Sequence, residues 1–130
     1  MSEQSPQRAG KTRPKRVLVV DDNVDVAESL QDVLEAAGHT ATIATDAAKA
    51  LELASAMKPD IAILDIELPV MDGYELALHI RALPQLADCR LIAMTGYGQA
   101  HDQGRSMDSG FQHHLVKPVD VDGLLSIVSE

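Results

Sequence analysis

Along residues 17–130, short aliphatic runs alternate with stretches whose apolar positions recur every three or four residues. Val17-Leu18-Val19-Val20 is a continuous apolar run, the pattern of a strand buried on both faces. It stops at Asp21-Asp22-Asn23. Val26, Leu30, Val33, Leu34 and Ala37 then follow helical spacing, with Gly38 where a C-terminal cap is expected. Thr40 to Ala44 predicts a second, weaker strand. Asp46 is placed to cap a helix carrying Ala47, Ala50, Leu51 and Ala54, which breaks at Lys58-Pro59-Asp60. Ile61-Ala62-Ile63-Leu64 predicts a third strand, stopping at Asp65. A loop with Pro69 and Asp72-Gly73 leads to a helix with Leu76, Ile80 and Leu83, ended by Pro84. Leu91-Ile92-Ala93-Met94 predicts a fourth strand, stopping at Thr95-Gly96, and His113 to Val116 a fifth, stopping at Lys117-Pro118. Asp120 precedes a last helix with Val121, Leu124, Leu125 and Val128 on one side.

Residues 99–109 fit this scheme poorly. Only Ala100 and Met107 are apolar, Gly104 lies in the middle, and Ser and Asp fill much of the rest. A marginal, mobile helix is expected there. Strands alternating with helices over short connections predict an α/β domain, a doubly wound five-stranded parallel sheet with helices on both faces. We place this domain at residues 16–130 and read residues 1–15, which lack periodicity, as a disordered basic leader or linker.

Charge sharpens the picture. The chain of 130 residues has a formal net charge of −9. Residues 1–16 hold five bases (Arg8, Lys11, Arg13, Lys15, Arg16) against Glu3, so the folded part is strongly acidic. Direct nucleic-acid binding by that part is not expected. With two Tyr, one Phe and no Trp, base-stacking platforms are nearly excluded. The single cysteine, Cys89, excludes an internal disulfide, and His39, His79 and His101 show no metal-ligand spacing. No apolar run reaches membrane-span length and the N-terminus lacks a signal-peptide core, so a cytoplasmic protein without membrane contact is the expectation.

Four strands end on polar residues: Asp21-Asp22, Asp65, Thr95 and Lys117. In an open parallel sheet the carboxyl ends of all strands share one edge, where ligands bind at the reversal of winding. Side chains far apart in sequence should therefore converge. Three neighbouring carboxylates repel one another, and a hard dication with oxygen ligands, Mg²⁺, relieves that repulsion. With Lys117 added, the charges suit an incoming phosphoryl group, and a carboxylate is a competent nucleophile at phosphorus. Taken singly, each feature has a plainer reading: an acidic pair near a helix N-terminus, a turn-forming Asp, a Thr-Gly turn, a Lys-Pro loop.

The runs VLVVDDN, ILDIELPVMDGYEL, LIAMTGYG and HHLVKPVD resemble those of response-regulator receiver domains over about residues 16–128. The steps of 43, 30 and 22 positions from Asp22 to Asp65, Thr95 and Lys117 fit as well. The resemblance implies a flavodoxin-like strand order 2-1-3-4-5. It implies that Asp65 accepts a phosphoryl group from a histidine kinase or histidine phosphotransfer protein. Asp21, Asp22, Asp65 and the backbone carbonyl of Glu67 would hold Mg²⁺. Thr95 and Lys117 would contact the phosphoryl oxygens, and the Lys117–Pro118 bond would be cis. Receivers often carry Tyr or Phe three residues before the lysine; here that position is His114, so Thr95 and His114 are the switch candidates, with a structural role for His114 the alternative. Glu67 and Tyr97 would flank the water route to the acyl phosphate. The protein would act as a switch in a phosphorelay, catalysing only its own phosphorylation and dephosphorylation. The signal would pass through the fifth strand and the last two helices. HHLVKPVD looks most like receivers of hybrid histidine kinases, and the sequence leaves open whether the chain is a stand-alone regulator or part of such a kinase. Competing readings are a small Mg²⁺-dependent aspartyl phosphatase, a flavodoxin-like electron carrier and a docking-only pseudo-receiver. The adjacent acids at the first strand end, the absence of a Ser/Thr/Gly-rich phosphate loop and the complete acid–Thr–Lys set speak against each in turn.

Overall fold

The computed structural model describes residues 13–96 and 103–130. Five strands, β1 (Arg16–Val20), β2 (Thr40–Ala44), β3 (Ile61–Asp65), β4 (Arg90–Thr95) and β5 (Phe111–Val116), alternate with helices. These are α1 (Val24–Ala36), α2 (Ala47–Met57), α3 (Gly73–Arg81), α4 (Gln103–Ser109) and α5 (Val121–Val128). All pairings are parallel, in the order β2-β1-β3-β4-β5. This is the doubly wound arrangement expected from the alternation. The winding reverses between β1 and β3, so the rim above those two strands is the natural ligand position.

Period-two alternation divides the core into two faces. Val17 and Val19 of β1, with Ile61, Ile63, Ile92 and Met94, pack against Ala27, Leu30 and Leu34 of α1 and Leu124 and Val128 of α5. Leu18 and Val20, with Ala62, Leu64 and Leu91, pack against Ala50 and Ala54 of α2 and Leu76, Ala77 and Ile80 of α3. Truncating a fully buried leucine such as Leu34 to alanine is worth about 2–5 kcal/mol in stability.

Side-chain caps start the helices where the sequence predicted polar stops. Asn23 accepts from the amides of Asp25 and Val26, Asp46 from Lys49, Asp72 from Glu75 and Asp120 from Gly123. Gly38, at φ 98°, supplies the left-handed residue that turns the chain after α1. Three details differ from the sequence pattern. In α1 the buried stripe is Ala27, Leu30 and Leu34, while Val26 and Val33 sit at its margin, because the small Ala27 lies directly against the sheet. In α5, Val121 is 45% exposed and only Leu124 and Val128 are fully buried. Strand β5 begins at Phe111 rather than His113, since Leu91 pairs with Phe111 across a register shift. Lys15 is joined to the folded part. Its amide donates to Nδ1 of His39 at 3.0 Å and its ammonium to the Val128 carbonyl at 2.8 Å.

Candidate functional site

The acids and Lys117 converge at the carboxyl rim. Strand β1 delivers Asp21, fully buried, one residue past its end, where its amide bonds the Ala44 carbonyl at 3.1 Å. Oδ1 of Asp21 accepts from the Asn23 amide at 2.9 Å, which holds the carboxylate in place as the chain turns into α1. Asp22, beside it, is exposed. Strand β3 ends on Asp65, 4% exposed, whose Oδ1 accepts from the Glu67 amide at 2.9 Å. Asp21, Asp22 and Asp65 can each present one carboxylate oxygen with all three lying within 4.8 Å of one another.

Lys117 reaches this cluster from the end of β5. Its amide donates to the Thr95 carbonyl at 2.8 Å, so β4 and β5 fix its backbone. The Lys117–Pro118 bond is cis. The ammonium lies 2.7 Å from Oδ2 of Asp21 and 3.2 Å from Oδ2 of Asp65. Thr95 closes β4, buried, one residue past the Asp65–Met94 pairing. His114 lies in β5 beside Ala93, half-buried, with its ring 6.2 Å from that of Phe111. His113 turns to the opposite side, with Nε2 2.9 Å from a Glu130 carboxylate oxygen. Glu67 is exposed, and Tyr97 lies outside the described residues.

Electrostatics follow from this crowding. Desolvation raises the pKa of Asp65, and the charge of Asp21 adds to the rise, against the Glu67 amide and Lys117, which lower it. Burial alone would lower the pKa of Lys117, but hydrogen bonding and charge from Asp21 and Asp65 outweigh it, and the lysine titrates above its ordinary value. The ammonium therefore stays charged. The donor set is all oxygen and carries three negative charges, which fits Mg²⁺ rather than a softer metal.

Glycine at position 73 lets α3 start directly against the Asp65 backbone. A Cβ there would stand 2.5 Å from the Asp65 carbonyl oxygen and 2.6 Å from the Ile66 Cα. A second feature went unseen in the sequence pattern. The guanidinium of Arg105 in α4 lies 4.4 Å from the Tyr74 ring centre and 3.2 Å from a carboxylate oxygen of Asp72. Tyr74 meets Phe111 edge to face at 6.1 Å. Two of the chain's three aromatic residues thus touch, and that scarcity was the available signal.

An open parallel sheet with buried acids and an ammonium at its reversal rim defines a class of α/β domain whose working site lies at the strand ends. Residues 17–129 match the response regulator receiver domain, and the chain belongs to that family, which serves two-component signalling and is not a classical enzyme. The chain is 34% identical to the DNA-binding dual master transcriptional regulator RpaA of Synechocystis over 113 residues, 87% of this chain and 47% of that protein. It therefore spans about half the length of that regulator. A receiver domain protein from Methanospirillum hungatei superposes with a TM-score of 0.81 at 30% identity, covering 89% of this chain and 91% of that one. The receiver domain of the sensor histidine kinase PA1611 from Pseudomonas aeruginosa, solved with magnesium in its active-site cleft, gives 0.79 at 27% identity, covering 89% and 95%. Among the described residues no helix is long and apolar enough to cross a membrane.

Proposed function

We propose that Asp65 is the phosphoacceptor of a two-component phosphorelay. The observation that carries this reading is the placement of the Lys117 ammonium between two buried carboxylates, 3.2 Å from Asp65 and 2.7 Å from Asp21. A carboxylate oxygen of Asp65 attacks the phosphorus of a phosphohistidine on a histidine kinase or phosphotransfer protein. The new P–O bond forms as the P–N bond breaks, and the electron pair leaves with the imidazole, which takes up a proton. Oδ1 of Asp65 is held by the Glu67 amide, which leaves Oδ2, on the Lys117 side, as the attacking atom. Lys117 neutralises charge on the transferring group without a proton transfer, since its pKa is raised. Asp21, Asp22, Asp65 and the backbone carbonyl of Glu67 would hold Mg²⁺, which would supply the remaining positive charge opposite the phosphoryl oxygens. Support for the metal comes from the all-oxygen cluster and from the magnesium-bearing cleft of the PA1611 receiver.

Thr95, buried at the end of β4, donates its hydroxyl to the phosphorylated group, and His114 follows by changing its position beside Phe111. The altered face of α4, β5 and α5 carries the signal to a partner protein. Incubation with Mg²⁺ and acetyl phosphate tests the reading. The protein gains the mass of one phosphoryl group, and a chelator prevents it. A chain that stays unmodified in saturating Mg²⁺ and donor refutes it.

A further inference from the structure

Helix α4 is weakly anchored by its own sequence. Its seven residues, QGRSMDS, include one large apolar side chain and a glycine. Among the described residues, Arg105 ties it to α3. One face of the guanidinium covers the Tyr74 ring at 4.4 Å while its edge pairs with Asp72, at 3.2 Å and 3.3 Å to the two carboxylate oxygens. Asp72 caps α3 and Tyr74 is its second residue, so Arg105 grips the end of α3 that abuts Asp65. Tyr74 is buried and meets Phe111 at 6.1 Å, and Phe111 meets His114 at 6.2 Å. A row of rings thus runs from His114 in β5, three residues before Lys117, through Phe111 and Tyr74 to Arg105 in α4.

We propose that Arg105 is a clasp holding α4 against α3 in the unphosphorylated protein, and that Phe111 and Tyr74 pass a movement of His114 to it and open it. The trigger half of this proposal rests on the phosphoacceptor reading; the clasp half does not. The ion pair is partly exposed, the guanidinium over the ring is half-exposed, and each hold is individually weak, which suits a device that must open as readily as it closes. Losing both shifts the local opening equilibrium by about five-fold.

Hydrogen exchange on the full chain, read by peptide mass, tests the clasp without any phosphoryl donor. Arg105→Gln raises exchange across residues 103–109 about five-fold and leaves α1 unchanged, and Arg105→Lys, which keeps the charge but not the flat face, falls between. Exchange in Arg105→Gln equal to that of the native chain overturns the clasp. For the trigger, phosphorylation of the native chain raises α4 exchange towards the Arg105→Gln level, and in Phe111→Leu it does not. A Phe111→Leu chain that responds fully overturns the relay. If no phosphoryl group is taken up, the trigger falls with the reading beneath it, while the first arm still decides the clasp.

Discussion

Lys117 sits closer to Asp21 than to Asp65, at 2.7 Å against 3.2 Å. The ammonium is therefore a shared counter-ion, and the fully buried Asp21 depends on it most. Breaking a buried ion pair costs about 3–5 kcal/mol, and the partial exposure of Lys117 reduces this. Lys117→Met should lower unfolding free energy at neutral pH by about 2–3 kcal/mol in urea titrations without Mg²⁺. Adding Asp21→Asn should recover part of the loss. An unchanged urea midpoint would count against the shared-counter-ion view.

The raised pKa of Asp65 makes stability depend on pH in a definite direction. The folded state holds the proton more tightly than the unfolded chain does. The resulting stabilisation is complete below the ordinary carboxylate value of 3.8 and is lost as pH rises through the higher folded value. Asp65→Asn removes the titration and keeps an oxygen for the Glu67 amide. Without metal, this variant should match the native chain at low pH and become progressively more stable than it as pH approaches neutrality. Thermal melts across that range check the divergence, and parallel curves contradict it.

Metal binding should reverse the penalty of gathering three acids. A ligand bound only by the folded state at a hundred times its Kd contributes about 2.7 kcal/mol. Mg²⁺ should raise Tm accordingly in the native chain. Asp22→Asn, which alters an exposed acid, should abolish that gain with little effect on Tm when the metal is withheld. A Mg²⁺ response that survives the substitution would remove Asp22 from the ligand set.

Gly73 has no room for a methyl group, because its neighbours are the Asp65 and Ile66 backbones rather than yielding side chains. Gly73→Ala should cost about 1–3 kcal/mol in stability through overpacking. It should also slow phosphorylation, because α3 must back away from the strand that ends on Asp65. Calorimetry and the rate of acetyl phosphate uptake together check this; a variant unaffected in both contradicts the close approach.

Much of this architecture was legible because parallel sheets impose simple rules. β1 and β3 are buried on both faces and read as unbroken aliphatic runs. The acids that stop them had to meet at one rim, which is why Asp21, Asp65 and Lys117 could be grouped from sequence. Less was legible where burial depends on what lies opposite. Ala27 was missed in favour of the larger Val26, since side-chain size says nothing about which position faces the sheet. The start of β5 was missed because Phe111-Gln112 carries no apolar run, and pairing with Leu91 decides its state. Arg105 was illegible altogether, because its hold on Asp72 and Tyr74 exists only once α3 and α4 are side by side.

The central claim is that Asp65 is the residue that carries the phosphoryl group. Borohydride reduces an acyl phosphate of aspartate to homoserine, so the modified residue can be read directly by fragment mass spectrometry. After reaction with Mg²⁺ and acetyl phosphate, homoserine should occur at position 65, and it should vanish in Asp65→Asn. Homoserine at Asp21 or Asp22 instead, or its absence from a chain that has gained phosphoryl mass, would contradict the account.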